Sequence, residues 1–280
     1  MTLSQSMARD APARTDAQRD GYSWFTVFEP RPAAEIKLFC FPYAGGQAHL
    51  FRSWHQSLPR DVETYASNLP GRAYSLNRPP FRRVADLVAE VGPALVREIT
   101  GPFVLFGHSL GAILAFEVAR WLRSRHGLSP ALLAVAAHRA PQVANADDAP
   151  MHLMNDRDFV VSLAKLKGTT PEVLASPEIL RFMIPILRAD FEMAETYRYT
   201  SEPSLSCPIA AFGGTDDEET AGGKLEAWRD QTTDACLCQL VKGDHFFVRS
   251  NERMFLELLR HELSGLRRGH ADERSRTPAL

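Results

Sequence analysis

An α/β fold, built on a mostly parallel central sheet flanked by helices, is predicted by three observations. Apolar strand-like runs alternate with segments of helical spacing, most of the runs end in loops carrying glycine or a polar residue, and one such loop sets a serine between two glycines. The first run, "IKLFCFPYAGG", passes from strand into a glycine-bearing loop and then a helical segment through Phe51, Trp54 and Leu58. A second strand, "VETYASNLPGR", ends in a Pro-Gly turn, and "VADLVAEVGPALVREI" has the apolar spacing of a helix. The third strand, "PFVLFGHS", leads into a helix over Leu110 to Arg125, with Leu110, Leu114, Val118, Trp121 and Leu122 on its apolar positions. "ALLAVAAHRA", "CPIAAFGG" and "CLCQLVKG" complete the strands. Open parallel sheets place their sites in the loops that follow such strands.

The alternation stops between Pro141 and about Pro203. That segment predicts several short helices broken by Gly168, Pro171, Pro177 and Pro185, with Met151, Met154, Phe182, Met183, Phe191 and Met193 among its apolar residues. Such residues pack into a core or form a helical lid over an apolar channel. The expected organisation is a disordered tail over 1–22, one domain over 23–264 with a lid insertion at about 141–203, and a disordered tail over 265–280.

The 280 residues are 45% hydrophobic and 24% charged, with a net charge of -2, which gives no general electrostatic case for binding nucleic acid or anionic membranes. No apolar run approaches the roughly 20 residues that span a bilayer. The first twenty residues carry three aspartates and lack the apolar centre of a secretory signal. Cys40, Cys207, Cys236 and Cys238 are scattered and form no disulfide framework or paired metal motif, so a cytoplasmic location is expected and no metal site is assigned to Cys236-Leu-Cys238.

The candidate chemistry starts in "LFGHSLGA". A strand that reverses into a helix within a few residues, leaving one side chain at the apex, has no room for Cβ atoms beside it, and Gly107 and Gly111 remove them. Ser109 is then a candidate nucleophile at a strand-to-helix elbow. It needs a base, and the base needs an orienting acid, in the chain order Ser, Asp, His. "FGGTDDEE" offers Asp216 and Asp217 after one strand, and "VKGDHFFV" offers His245 after the last. Among nine histidines, His108 is assigned to packing, and His49, His55 and His138 have no acid at the expected place.

"FPYAGG", "LPGR", "FGHSLGA", "HRAP", "LRADF", "FGGTDD" followed by "LEAW", and "GDHFFV" together resemble a type II thioesterase of polyketide and nonribosomal peptide pathways, a family of the α/β-hydrolase fold; the resemblance spans about Phe39 to Leu259. It implies that the acid is Asp217, three residues after the second glycine of its turn and eleven before Trp228, with Asp216 as the fallback. It implies an acyl-enzyme on Ser109, an oxyanion hole from the backbone amides of Ala44 and Leu110, and no cofactor. The implied substrate is an acyl thioester on the phosphopantetheine arm of a carrier protein, hydrolysed by a free-standing, monomeric enzyme that edits aberrant or stalled chains. Arg52, Arg72, Arg78, Arg82 and Arg83 follow early strands and are candidates to meet an acidic carrier protein, against a plain reading as solvated charge. The chain departs from the family at Ala73 and Tyr74, at Leu110, at His138 and in "DEET" after the acid, which bears on the acyl pocket more than on the reaction. A carboxylester hydrolase or acyltransferase with the same triad is the alternative.

Overall fold

The computed structural model describes residues 22–72, 75–144 and 149–276, with side chains through 266. The expected tail over 1–22, apart from Tyr22, and the departures at Ala73 and Tyr74 lie outside the described residues. Seven strands form one sheet in the order β1-β3-β2-β4-β5-β6-β7. They are β1 (Phe25–Thr26), β2 (Ile36–Phe41), β3 (Val62–Ser67), β4 (Phe103–His108), β5 (Leu132–Ala136), β6 (Ile209–Gly214) and β7 (Cys236–Val241). All neighbours pair parallel except β1, a two-residue strand antiparallel to β3 that the sequence pattern did not announce.

The inner strands β2, β4, β5 and β6 are apolar and largely buried on both faces because both are covered, whereas the edge strand β7 leaves Leu237 and Leu240 exposed. Phe39, Phe41, Leu105, Leu133 and Ala211 pack with α1 (Val84–Glu98) and α2 (Leu110–His126) on one side. Leu38, Cys40, Val104, Phe106 and Phe212 pack with Trp54 and with Phe255 and Leu259 of the last helix on the other. The helix expected through Phe51 and Trp54 is instead two turns of 3₁₀ helix, Ala48–Phe51 and Trp54–Gln56. The same three-to-four-residue spacing serves either form.

The break after β5 holds α3 (Asp156–Leu166), α4 (Pro171–Leu174) and α5 (Pro177–Thr196). Breaks fall near Gly168, Pro171 and Pro177 as the sequence suggests, but Pro185 lies inside the continuous α5. Proline deletes one donor there, and its would-be acceptor belongs to the exposed Arg181, where water can replace it. Phe159, Leu163 and Leu187 form a small cluster of their own with Met151, Met154, Met183 and Phe191 around it. A short helix, α6 (Phe247–Ser250), and a long final one, α7 (Glu252–Arg276), follow β7, and α7 runs on as helical backbone across the 264–265 boundary drawn from sequence.

The chain leaves β2 for β3 on one side and returns to β4 on the other, so the carboxyl ends of β2 and β4 flank a topological switch point. Loops diverging there open a crevice.

Candidate active site

Phe41 at the end of β2 pairs in register with Gly107 of β4, which sets the Pro42–Gly46 loop beside the turn that follows β4. In that turn Ser109 adopts φ 56° and ψ −117°, a strained conformation for a residue with a side chain, and its amide donates to the Ala136 carbonyl at 2.8 Å. The two glycines answer the crowding: a Cβ on Gly107 would lie 1.9 Å from the Gly111 carbonyl oxygen, and one on Gly111 would lie 2.1 Å from that of Phe41. Ser109 therefore stands at the N-terminus of the 17-residue α2, whose first amides have no partner within the helix and whose dipole favours negative charge.

The other predicted residues arrive from neighbouring strands. Gly214 at the end of β6 pairs with Val241 at the end of β7, and the loops beyond carry Asp217 and His245. His245 Nε2 lies 2.9 Å from Ser109 Oγ, and its Nδ1 lies 3.0 Å from Asp217 Oδ2. Asp217 is buried, and its other oxygen accepts the Glu219 amide at 3.1 Å. Asp216 is exposed, its amide donating to the Gly243 carbonyl at 2.9 Å. The chain Ser109–His245–Asp217 is thus continuous, and Asp216 stands outside it. Trp228 is fully buried and donates to the His138 carbonyl at 2.9 Å, joining the β5 and β6 loops.

A cavity of about 1570 Å³ opens over Ser109 and His245, with Ala44 and Leu110 in its wall and Val173, Met183 and Leu187 of the helical insertion across from them. That exceeds the few hundred to roughly 1,000 Å³ of ordinary small-molecule sites. Met183 lines it, whereas Met193 of the same helix is buried in the main core.

Two features escape sequence reasoning. His108, read as packing, is buried, but its Nε2–H also donates to the His245 carbonyl at 2.9 Å. Burial, reinforced by the nearby His245 charge, pushes its pKa down to about 3, so it stays neutral and keeps that proton. The alternation of β4 was the available signal: His108 shares a face with Val104 and Phe106, the face covered by the residues after His245. The second feature corrects the arginine group. Arg72 is buried and forms a two-point ion pair with Asp190 of α5, Nη1 to Oδ2 at 2.6 Å and Nη2 to Oδ1 at 2.9 Å, so it is removed from any docking surface. Arg82 is engaged with Glu192, and Arg78 lies over the Tyr22 ring, while Arg52 and Arg83 are exposed.

The thioesterase domain family model matches residues 36–263. The chain is 35% identical to the gramicidin S biosynthesis protein GrsT of Aneurinibacillus migulanus, over 86% of this chain and 93% of that protein. It is 35% identical to thioesterase PikA5 of Streptomyces venezuelae, over 82% of this chain and 81% of that one. The solved type II thioesterase BorB, from the borrelidin biosynthetic cluster, superposes with a TM-score of 0.79 at 32% identity, covering 87% of this chain and 100% of BorB. With its fold, its elbow serine and these relatives in agreement, the chain belongs to the thioesterase domain family as a type II thioesterase, a thioester hydrolase of the α/β-hydrolase fold.

Proposed function

We propose that Ser109 is the nucleophile, His245 the general base and Asp217 the orienting acid, and that the substrate is an acyl chain held as a thioester on the phosphopantetheine arm of a carrier protein. The observation that carries this reading is the hydrogen-bonded chain from Ser109 Oγ through His245 to Asp217, opening onto one large cavity. Ser109 Oγ attacks the thioester carbonyl as His245 Nε2 takes its proton, and the buried Asp217 carboxylate holds the imidazole by Nδ1–H and stabilises its cation. The amides of Leu110 and Ala44 receive the oxyanion, the first reinforced by the α2 dipole. His245 returns the proton to the departing thiol. Water, deprotonated by the same imidazole, then releases the acid and frees the serine.

Relatives from gramicidin S and borrelidin biosynthesis support an editing role in polyketide or nonribosomal peptide synthesis that clears stalled chains, and we read the enzyme as a cytoplasmic monomer. Among the described residues no helix is long and apolar enough to cross a membrane. Carrier proteins loaded with a panel of acyl groups and followed by mass spectrometry test the substrate class. Loss of several different acyl groups from the carrier is expected, with the matching oxygen esters turned over far more slowly. Preference for the oxygen esters would favour a carboxylester hydrolase.

In this reading the insertion is the cover over this site, its short helices joined at the breaks near Gly168, Pro171 and Pro177 and moving to admit the arm. Gly168 packs so tightly on Phe246, beside His245, that a Cβ there would lie 2.5 Å from the ring. A pantetheine arm must pass such a contact to reach a site kept dry for the oxyanion donors. A disulfide joining the α3–α4 connection to the Phe246 loop is expected to slow turnover of carrier-bound substrates, with full recovery on reduction. Undiminished activity of the fully cross-linked enzyme would make the segment plain core.

A further inference from the structure

The Arg72–Asp190 pair has a third member. Asp190 Oδ2, besides receiving Arg72, accepts the backbone N–H of Gly45 at 2.7 Å. Gly45 follows Ala44, whose amide is the second oxyanion donor in the reading above, and it takes φ +77°. From the same α5 helix, Leu187 closes on Gly45 so tightly that a Cβ there would lie 2.4 Å from its Cδ2. The loop is therefore clamped from one side by α5: an apolar contact limits where Gly45 can sit, and a carboxylate fixes which way its amide points. The direction of one peptide plane constrains its neighbour, because only φ and ψ of the shared residue separate them.

We infer that Asp190 is a positioning residue for catalysis: held by Arg72, its carboxylate fixes the Gly45 amide and so keeps the Ala44 amide aimed at the oxyanion. Asp190 is fully buried and Arg72 nearly so, and an ion pair in that setting is poor evidence of stability, since apolar residues of similar volume often replace one without loss. What such residues cannot replace is the acceptor for Gly45. The same bond ties the insertion to the oxyanion loop, and Arg188, two residues earlier on α5, donates to the carbonyls of His152 and Met154 at 2.7 Å. The start of the insertion and the oxyanion loop are thereby anchored to one helix.

The inference rests on the oxyanion role proposed for Ala44, and two neutral double variants separate its failure from that one's. R72M/D190L removes the ion pair and the acceptor, and R72M/D190N removes the pair but leaves an amide oxygen for Gly45. Each is assayed for fold by circular dichroism and melting, for kcat and KM on a soluble acyl thioester, and for affinity toward an alkyl trifluoromethyl ketone, whose serine adduct carries the charge of the tetrahedral intermediate. R72M/D190L is expected to lose about 10²-fold in kcat and a similar factor in ketone affinity, the scale of one misplaced oxyanion donor, with KM changed little. R72M/D190N is expected to stay within about threefold of the wild type, since its acceptor is intact. Equal activity in both folded variants overturns the inference, as does a 10²-fold loss in R72M/D190N, which decides the matter even if R72M/D190L does not fold. If the wild type gains nothing from the fluorinated ketone over the plain methyl ketone, the oxyanion assignment itself has failed.

Discussion

Ser109→Ala is expected to abolish thioester hydrolysis while leaving the melting temperature near that of the wild type. The side chain stands at the apex of the elbow and, among the described residues, its Oγ bonds to His245 alone. The His245 Nε2 that alanine would leave unpaired lines the cavity and is not buried, so no buried polar group loses its partner and no clash arises. The strained backbone conformation persists because the surrounding turn enforces it: the Ser109 amide still reaches Ala136, and the two glycines still admit the close passage of β4 against α2. Removing a triad nucleophile elsewhere costs about 10⁶ in kcat, with residual rate left to the oxyanion donors and binding. Turnover measured by thiol release, beside thermal melts of both proteins, checks it. Retained burst-phase acylation in the variant would move the nucleophile to another residue.

Asp217→Asn is expected to lower kcat by about 10⁴, because an amide in place of the carboxylate permits the wrong imidazole tautomer and no longer stabilises the cation formed during proton transfer. Asp217 is buried, so no bulk water compensates for the missing charge. Asp216→Asn is expected to change kcat by less than about threefold, since that side chain is exposed and is not on the His245 chain. Parallel kcat determinations on the two variants decide between the neighbouring aspartates, and the reverse order would assign the role to Asp216.

How much of this was legible in the sequence depends on whether the determinant is local. Strands β2, β4, β5 and β6 could be read because burial on both faces leaves continuous apolar runs ended by glycine or polar loops, while β3 and β7, which mix polar residues with apolar ones, were marked by the glycine-bearing turns that end them. The elbow could be read because close passage of backbone on backbone demands glycine at fixed positions around Ser109. Choosing Asp217 needed the family spacing to Trp228, since two adjacent aspartates after a strand are equivalent until the loop's path is known. The pair of residues in β1 carries no periodicity at all. Arg72 illustrates the other limit: an arginine after a Pro-Gly turn reads as solvated, and it becomes buried only because Asp190, 118 residues later, returns on α5 to meet it. His108 lay between, since its face could be counted along β4 but its acceptor, a backbone carbonyl 137 residues away, could not.

The central claim is that a carrier-bound acyl group passes through an ester on Ser109. The wild-type enzyme mixed with acyl-loaded carrier protein, quenched in acid within the first turnover and digested, tests it by mass spectrometry of the peptide that contains Ser109. A mass increase equal to the acyl group is predicted on that peptide, decaying as free acid accumulates and absent from Ser109→Ala. Free acid formed at the full rate with no adduct at any time, from a Ser109→Ala enzyme as readily as from the wild type, would contradict it.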